Sequence, residues 1–497
     1  MTVTAGTHRA SPAPPDNPHH GRRWLILVVL GLAQLMVVLD ATIVNIALPT
    51  AQHDLGFTDS DRQWIVTAYA LAFGSLLLLG GRIADVVGRK RVFLIGLAGF
   101  AAASALGGAA GNFEVLVAAR ALQGVFGALL APAALSLLTT TFTSPSERGK
   151  AFGVFGAISG AGGAVGLLLG GVLTEYLSWR WCLYVNLAFA AVALVGGALL
   201  LHHRKAATRP GLDWPGIITA SAGLFALVYG FSNAEKYDWD DPMSWGFLTA
   251  GAVLLAVFVW LQTRVTHPLL PLRVVLDRNR GGSYIAVFIS GAGMFGVFLF
   301  LTYYLQASLH YSPVKTGLAF LPMVAALMIA ATAATSALIP RIGPKPLVTA
   351  GMLVSAAGMA WLTWLDLDST YAAHVLPPLL VLGIGFGLIM APAMSVGTLG
   401  VRAADAGVAS ATINTSQQIG GSIGTALLNT LAASAAADYL ATRQPTPDAL
   451  AQAMLRSYET AYWWSAGIFA AGAILCGLLL RRGVPEQDPD AEPVLVH

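Results

Sequence analysis

The chain has 497 residues, of which 56% are apolar and 11% charged, against roughly 25% charged in an ordinary soluble domain. With a mean hydropathy of +0.69, the apolar side chains exceed what a water-facing fold can bury, so most of the surface faces a bilayer. A formal net charge of +3 is too small an excess for nucleic-acid binding, and two cysteines far apart, Cys182 and Cys476, supply neither a disulfide framework nor a zinc site.

Residues 1–21, rich in Pro, His and small polar residues, read as a disordered cytoplasmic tail. Apolar stretches long enough to cross about 30 Å of hydrocarbon then follow at 24–48, 62–81, 92–111, 114–140, 149–174 and 181–201. The first is a span and not a signal peptide, because its apolar run continues past Asp40 without a small-residue cleavage site. These six make an N-terminal bundle over 22–201, and a basic cytoplasmic linker occupies 202–212. Two additional runs at 214–233 and 244–263 fill 213–263. Six more, at 282–306, 315–338, 347–365, 374–398, 406–431 and 459–480, form a C-terminal bundle over 264–482, and 483–497 is a second cytoplasmic tail. The expected fold is an all-α polytopic membrane protein of fourteen transmembrane helices, two six-helix bundles plus two extra central helices. Positive charges support this layout. Twenty-one of the 28 lysines and arginines fall in segments that an internal N-terminus places in the cytoplasm, six fall outside, and Arg120 lies inside a span. Both termini are therefore expected on the cytoplasmic side of the inner cell membrane.

Several residues are not explained by hydropathy. Asp40 lies deep in the first span, where a carboxylate costs a few kcal/mol unless solvated, paired or protonated. It reads as a proton site, or as a group near the outer helix end that faces headgroups or a structural partner. Its helical neighbours Met36, Ile43 and Val44 are apolar, a setting that favours proton uptake. Arg120 shares a helix face with Gln123, Gly124 and Gly127. Its permanent charge suits it to fix a nearby carboxylate rather than to carry protons, and a plain ion pair or carbonyl clamp is the structural reading.

Between the second and third spans, Gly81, Asp85, Gly88, Arg89 and Lys90 stand in a short cytoplasmic segment. Its glycines allow close helix approach, and Asp85 can accept hydrogen bonds from a neighbouring helix N-terminus. A positive-inside anchor would explain the basic residues but not the Gly81, Asp85 and Gly88 spacing. In the fifth span Gly153, Gly156, Gly160, Gly163, Gly166 and Gly170 recur at three- and four-residue steps, giving a face that lets helices approach and slide, or simply pack. Asn414, Gln417, Gln418 and Gly421 make a polar face in the thirteenth span that either lines a cavity or joins helices. Together with Asn414 and Gln417, the candidate cavity residues are Tyr69, Gln123, Phe295, Phe298 and Tyr303. Asp213, before Trp214-Pro215, is expected to cap the seventh span. No His, Cys or carboxylate cluster suggests an enzyme or a metal site, and neither tail is long enough for a sensor's output domain.

Four of these stretches resemble, in order and spacing, motifs of the major facilitator superfamily, in particular its fourteen-span drug:proton antiporter branch. Leu39-Asp40-Ala41-Thr42-Ile43-Val44-Asn45-Ile46-Ala47-Leu48-Pro49 looks like that branch's first-span motif. Gly81 to Arg91 is similar to the superfamily's G-x-L-A-D-x-x-G-R-K-x loop, with Ile83 for Leu, and Arg120-Ala121-Leu122-Gln123-Gly124 resembles the fourth-span motif. The antiporter motif G-x8-G-x3-G-P-x2-G-G maps onto Gly153, Gly162, Gly166, Leu167, Gly170 and Gly171, with Leu167 where the motif has proline. Pro340 to Lys345 reads as a degenerate copy of the Gly81 loop in the second half.

The resemblance implies a major facilitator fold that exports amphipathic or aromatic organic compounds such as antibiotics by alternating access, driven by protons. It implies gating by the Gly81 to Lys90 loop and proton coupling through Arg120, with Asp40 as the group that takes the proton. The partners are then a small organic substrate, protons and the bilayer, with no cofactor beyond the proton gradient. One chain carries both repeats, so a monomer suffices. The missing proline keeps proton-coupled uptake of a small organic nutrient as the alternative.

Overall fold

The computed structural model describes residues 21–57, 59–142, 144–202, 213–237, 241–266, 268–402, 405–441, 443–444 and 446–484. The expected tails and nearly all of the basic linker lie outside the described residues. Among the described residues fourteen long helices follow one another: α1 (Arg23–Leu55), α2 (Asp59–Val87), α3 (Arg89–Gly108), α4 (Phe113–Thr141), α5 (Pro145–Tyr176), α6 (Trp181–Leu200), α7 (Trp214–Tyr237) and α8 (Pro242–Gln262) in the first part of the chain. They continue as α9 (Arg278–Tyr303), α10 (Pro313–Ala333), α11 (Pro344–Leu362), α12 (Leu376–Gly397), α13 (Ala406–Ala441) and α14 (Pro447–Leu479). No strand occurs among the described residues.

Each expected span has its helix, and the differences lie at the ends. The Ala-rich stretch after residue 431 continues α13 to Ala441, and α14 starts at Pro447, ahead of its apolar run. Polar helix ends that protrude from a bilayer carry no hydropathy signal. Among the described residues thirteen helices are long and apolar enough to cross a membrane, while in α5 the qualifying stretch is the shorter Val165–Tyr176. That helix is still 32 residues long, about 48 Å at the α-helical rise.

The helices end where the chemistry of their termini requires. Asn112 caps α4 by accepting from the Val115 amide at 2.9 Å, and Asp213 caps α7 by accepting from the Gly216 amide at 2.9 Å, as its sequence context predicts. The other Asp213 oxygen accepts from Gln262 Nε2 at 2.9 Å and from the Leu269 amide at 3.2 Å, so one buried carboxylate ties α7, α8 and the segment leading to α9.

Helices α1–α6 form one bundle and α9–α14 the other. Across the interface, α5 packs on α10 and α12, and α13 packs on α2 and α4. The fifth helix of each half thus meets the second and fourth of the other, the relation expected between two repeats. The hairpin α7–α8 sits outside this arrangement. α7 lies along α2 and α13, and only 17% of the apolar stretch of α8 is buried. At the bundle end away from the start of α1, Asp54 accepts from Trp179 Nε1 at 3.0 Å and from Arg180, whose guanidinium also donates to the Ala110 carbonyl at 3.1 Å. Arg180 and Trp179 hold the Asp54 carboxyl below its usual value, so this clasp is charged at neutral pH and is lost only as pH falls through the lowered value.

Backbone contact through glycine makes the bundles tight. A Cβ on Gly80 would stand 2.0 Å from the Ala128 carbonyl oxygen of α4. Gly80→Leu is therefore expected to force α2 off α4 and cost about 1–3 kcal/mol. The detergent-solubilised protein should show a lowered thermal midpoint, and an unchanged midpoint would mean that the two backbones do not touch there.

Candidate functional site

The residues that hydropathy leaves unexplained come together in the first bundle. α1 supplies Asp40, α4 supplies Arg120 and Gln123, α3 supplies Ser104, and α6 supplies Asn186, all at most 1% exposed. Arg120 Nη1 donates to Asp40 Oδ2 at 2.5 Å, and Asp40 Oδ1 accepts from Gln123 Nε2 at 2.8 Å and Asn186 Nδ2 at 2.6 Å. Gln123 Oε1 accepts from Arg120 Nη1 at 2.8 Å, and Ser104 Oγ accepts from Gln123 at 2.7 Å and from Asn186 at 3.3 Å. Arg120 Nε donates to the Ile65 carbonyl at 3.3 Å, and its guanidinium lies 4.5 Å over the Tyr69 ring. Tyr69 and Gln123 thus belong to this node.

The surroundings of Asp40 differ from the sequence expectation. Met36, Ile43 and Val44 are buried beside it on α1, but the carboxylate is ringed by donors and not by hydrocarbon. Residues on one helix do not decide what a side chain faces; partners from α4 and α6 do. The node is electrically neutral with Asp40 ionised, and in a low-dielectric interior removing either charge strands the other. Sequence reasoning missed Ser104 and Asn186. Asn186 carried a usable signal, a lone amide inside the apolar run Trp181–Leu200, whereas a single serine in a span carries almost none.

A second polar site joins the halves. Asp85, near the end of α2, accepts at Oδ1 from the Gly407 amide at 3.1 Å and from Arg89 Nη2 at 3.1 Å. Gly407 is the second residue of α13, so the carboxylate caps a helix N-terminus in the other bundle. Gly81 makes this approach possible, since a Cβ there would stand 2.6 Å from the Gly407 carbonyl oxygen. Gly88, at φ 108°, makes the turn between α2 and α3. Lys90 Nζ reaches the carbonyls ending α6, Ala198 at 2.8 Å and Leu201. In the degenerate copy Gly343 keeps the positive φ, at 77°, but nothing replaces Asp85. There Gly149 and Gly153 bring α5 against Thr335, and Arg148 Nη2 donates to Thr398 Oγ1 at 2.9 Å. Both polar contacts lie at the bundle end that holds the start of α1.

The antiporter-motif glycines serve two neighbours. Gly153 faces Thr335 beyond the end of α10, whereas Gly162, Gly166 and Gly170 seat α5 on α1 at Val38, at Leu39 and Thr42, and at Ile43. Gly171 and Leu167 are buried, and α5 continues through Leu167 as helix. The remaining cavity candidates lie outside the Asp40 node. Phe298 lies against Gly163 and, 5.0 Å between ring centroids, against Phe320. Asn414 Nδ2 donates to the Ser410 carbonyl of its own helix at 2.9 Å, and the Gln417 backbone packs on Gly291 of α9. Tyr303, the last residue of α9, is 48% exposed. The Phe295 side chain lies outside the described set. No group of three or more His, Cys, Asp or Glu side chains placed to hold a metal occurs among the described residues.

The sequence profile of the Major Facilitator Superfamily matches residues 30–425. The chain is 50% identical over 92% of its length to the puromycin resistance protein pur8 of Streptomyces alboniger, covering 92% of that protein. It is 38% identical over 82% of its length to the cephamycin export protein CmcT of Amycolatopsis lactamdurans, covering 85% of it. Among solved structures, the human organic anion transporter MFSD10 (TETRAN) shares the fold with a TM-score of 0.61 at 17% identity, over 93% of this chain and 100% of that one.

The node predicts a specific pattern of stability. Arg120→Met and Asp40→Leu each leave one buried charge without its partner and should cost about 3–5 kcal/mol. The double variant should recover most of that loss. Thermal midpoints of the four proteins test this, and losses that simply add would show that the two side chains do not pair.

Proposed function

The chain belongs to the Major Facilitator Superfamily, and within it we propose that this protein exports antibiotics and related amphipathic or aromatic compounds from the cytoplasm in exchange for protons. It acts as a monomer in the cytoplasmic membrane with both termini inside. The observation that carries the proton part is the buried Asp40–Arg120 pair. The names of the relatives, resistance and export proteins for puromycin and cephamycin, support outward transport of an organic antibiotic. The uptake reading rests on the absent proline alone, and the unbroken helix through Leu167 does without it.

In this reading the conformation described is closed towards the cytoplasm, held by Asp85 on the α13 N-terminus and by Arg148 on Thr398. A proton arriving on Asp40 cancels the negative charge of a neutral node. Arg120 then keeps only Gln123 Oε1, the Ile65 carbonyl and the Tyr69 ring as partners, too little for a buried cation. The strain falls on the α1–α4 contact. α1 is seated through Leu39, Thr42 and Ile43 in the glycine face of α5, and α5 in turn packs on α10 and α12 of the other half. A change of charge at Asp40 therefore reaches the inter-half seams through one helix. Release of the proton to the cytoplasm restores the ion pair and accompanies loading of the next substrate, which completes the exchange.

Cells expressing the wild type should accumulate less puromycin and fewer aromatic antibiotics than cells without it. Asp40→Asn, or a protonophore, should each return accumulation to the level of cells lacking the protein. Export that persists at full strength in Asp40→Asn would remove the carboxylate from the mechanism, and accumulation raised by the wild type would reverse the direction.

A further inference from the structure

The Asp40 node is closed towards the second half and towards α2. Towards the second half, α5 covers α1 with backbone against backbone, Cβ positions on Gly166 and Gly170 standing 3.0 Å from the carbonyl oxygens of Leu39 and Ile43. Towards α2, the Tyr69 ring lies over the Arg120 guanidinium. One direction is packed differently. A cavity of about 10 Å³ opens between α1, α4 and α6, and its walls include Val44, Leu116 and Cys182. Each of these stands four residues from a member of the node, namely Asp40, Arg120 and Asn186. On all three helices that step is just over one turn, about 6 Å along the axis, and it leads away from the start of α1.

The volume is room for a single water, and the walls, continued by Ala47, Leu48 and Trp179, are apolar. Trp179 in its wall donates to Asp54 of the Asp54–Arg180 clasp, whose side chains are 46% and 32% exposed. One helical turn from Cys182 of the wall, Asn186 Oδ1 is buried and has no hydrogen-bond partner, although Asn186 Nδ2 holds Asp40. An unpaired buried acceptor is costly, and a water entering through the gap would satisfy it next to the carboxylate.

Resting on the reading of Asp40 as the proton site, we propose that the proton reaches it from the outer surface through the interior of the first bundle. The route is the gap between α1, α4 and α6, and Val44, Leu116 and Cys182 form a dry plug that a short file of water crosses. The drug and the proton then travel by separate routes, the drug between the two bundles and the proton inside one of them. Dry walls keep the route shut to bulk water, so protons do not leak through a resting transporter.

The plug can be filled or wetted. In proteoliposomes carrying a pH-sensitive dye, Ala47→Leu should slow drug-dependent proton flux by about tenfold, equivalent to about 1.4 kcal/mol of added barrier, while drug binding stays at the wild-type level. Leu116→Ser should admit protons without drug. The two cysteines of the chain supply a second measurement that needs no change in the plug. In the Cys476→Ala protein, Cys182 should react with a small polar thiol reagent added outside, and faster once Leu116→Ser is introduced. Wild-type proton flux in both plug variants, or a Cys182 that reacts only from the inside, overturns the route. If Asp40→Asn itself keeps wild-type proton flux, the proton-site reading fails instead, which separates the two.

Discussion

A carboxylate at membrane depth, held by one guanidinium and two amides, is the constraint around which the first half is built. Burying Asp40 without Arg120 would cost several kcal/mol, and burying Arg120 alone would be no cheaper. Each therefore requires the other, and their pairing fixes how α1 meets α4. Gln123 and Asn186 complete the shell and extend it to α3 and α6 through Ser104. With the Arg120 bond to the Ile65 carbonyl of α2, five helices are aligned by one set of hydrogen bonds. In a bilayer, where apolar faces gain little from meeting one another, such a set contributes alignment that hydrophobic burial cannot.

The seams between the halves follow a different rule. They close through glycine, where backbone meets backbone, with Gly81 on Gly407 and Gly149 on Thr335. Such contacts are close but nondirectional, and they can separate and re-form without stranding a charge. A polar latch is added at each, Asp85 at a helix N-terminus and Arg148 at a threonine hydroxyl. The two latches differ because the second-half copy of the loop kept its glycine, Gly343, and lost its acid. Pseudo-symmetry in the helices therefore coexists with asymmetry in what holds them, and α7 adds to this by covering only the α2–α13 seam.

Much of this was legible in the sequence for a simple physical reason. Hydropathy reports the fourteen helices because the bilayer demands apolar length, and it exposes Asp40 and Arg120 because both violate that demand. The Asp85 contact with a helix N-terminus was readable from the loop as a capability, though not its partner, Gly407, 322 residues away. Depth along a span can be read from sequence; the rotation of one helix against another cannot. That is why the apolar neighbours of Asp40 on α1 suggested the wrong surroundings. For the same reason the neighbours of the aromatic and amide residues in the spans were not readable, with Tyr69 in the node and Asn414 bonded to its own helix. Ser104 had no signal, since a small hydroxyl in a span ordinarily bonds its own backbone.

The node and the seams together explain why the antiporter glycines stand where they do. α5 has two neighbours to satisfy: α1 along its second half, at Gly162, Gly166 and Gly170, and α10 at its first half, through Gly149 and Gly153. A side chain at any of these positions would hold α5 off one partner and leave it free to follow the other alone. With glycine at all of them, the backbone of α5 is in contact with the Asp40 helix and with the opposite bundle at once. A proline at residue 167 would break the hydrogen-bond ladder within the stretch seated on α1; with leucine α5 continues as helix past that point, so Thr42 and Ile43 are joined to Thr335 by one unbroken helix. In the proposed exchange this continuous helix is the element that links a change of charge at Asp40 to a seam in the other half of the molecule.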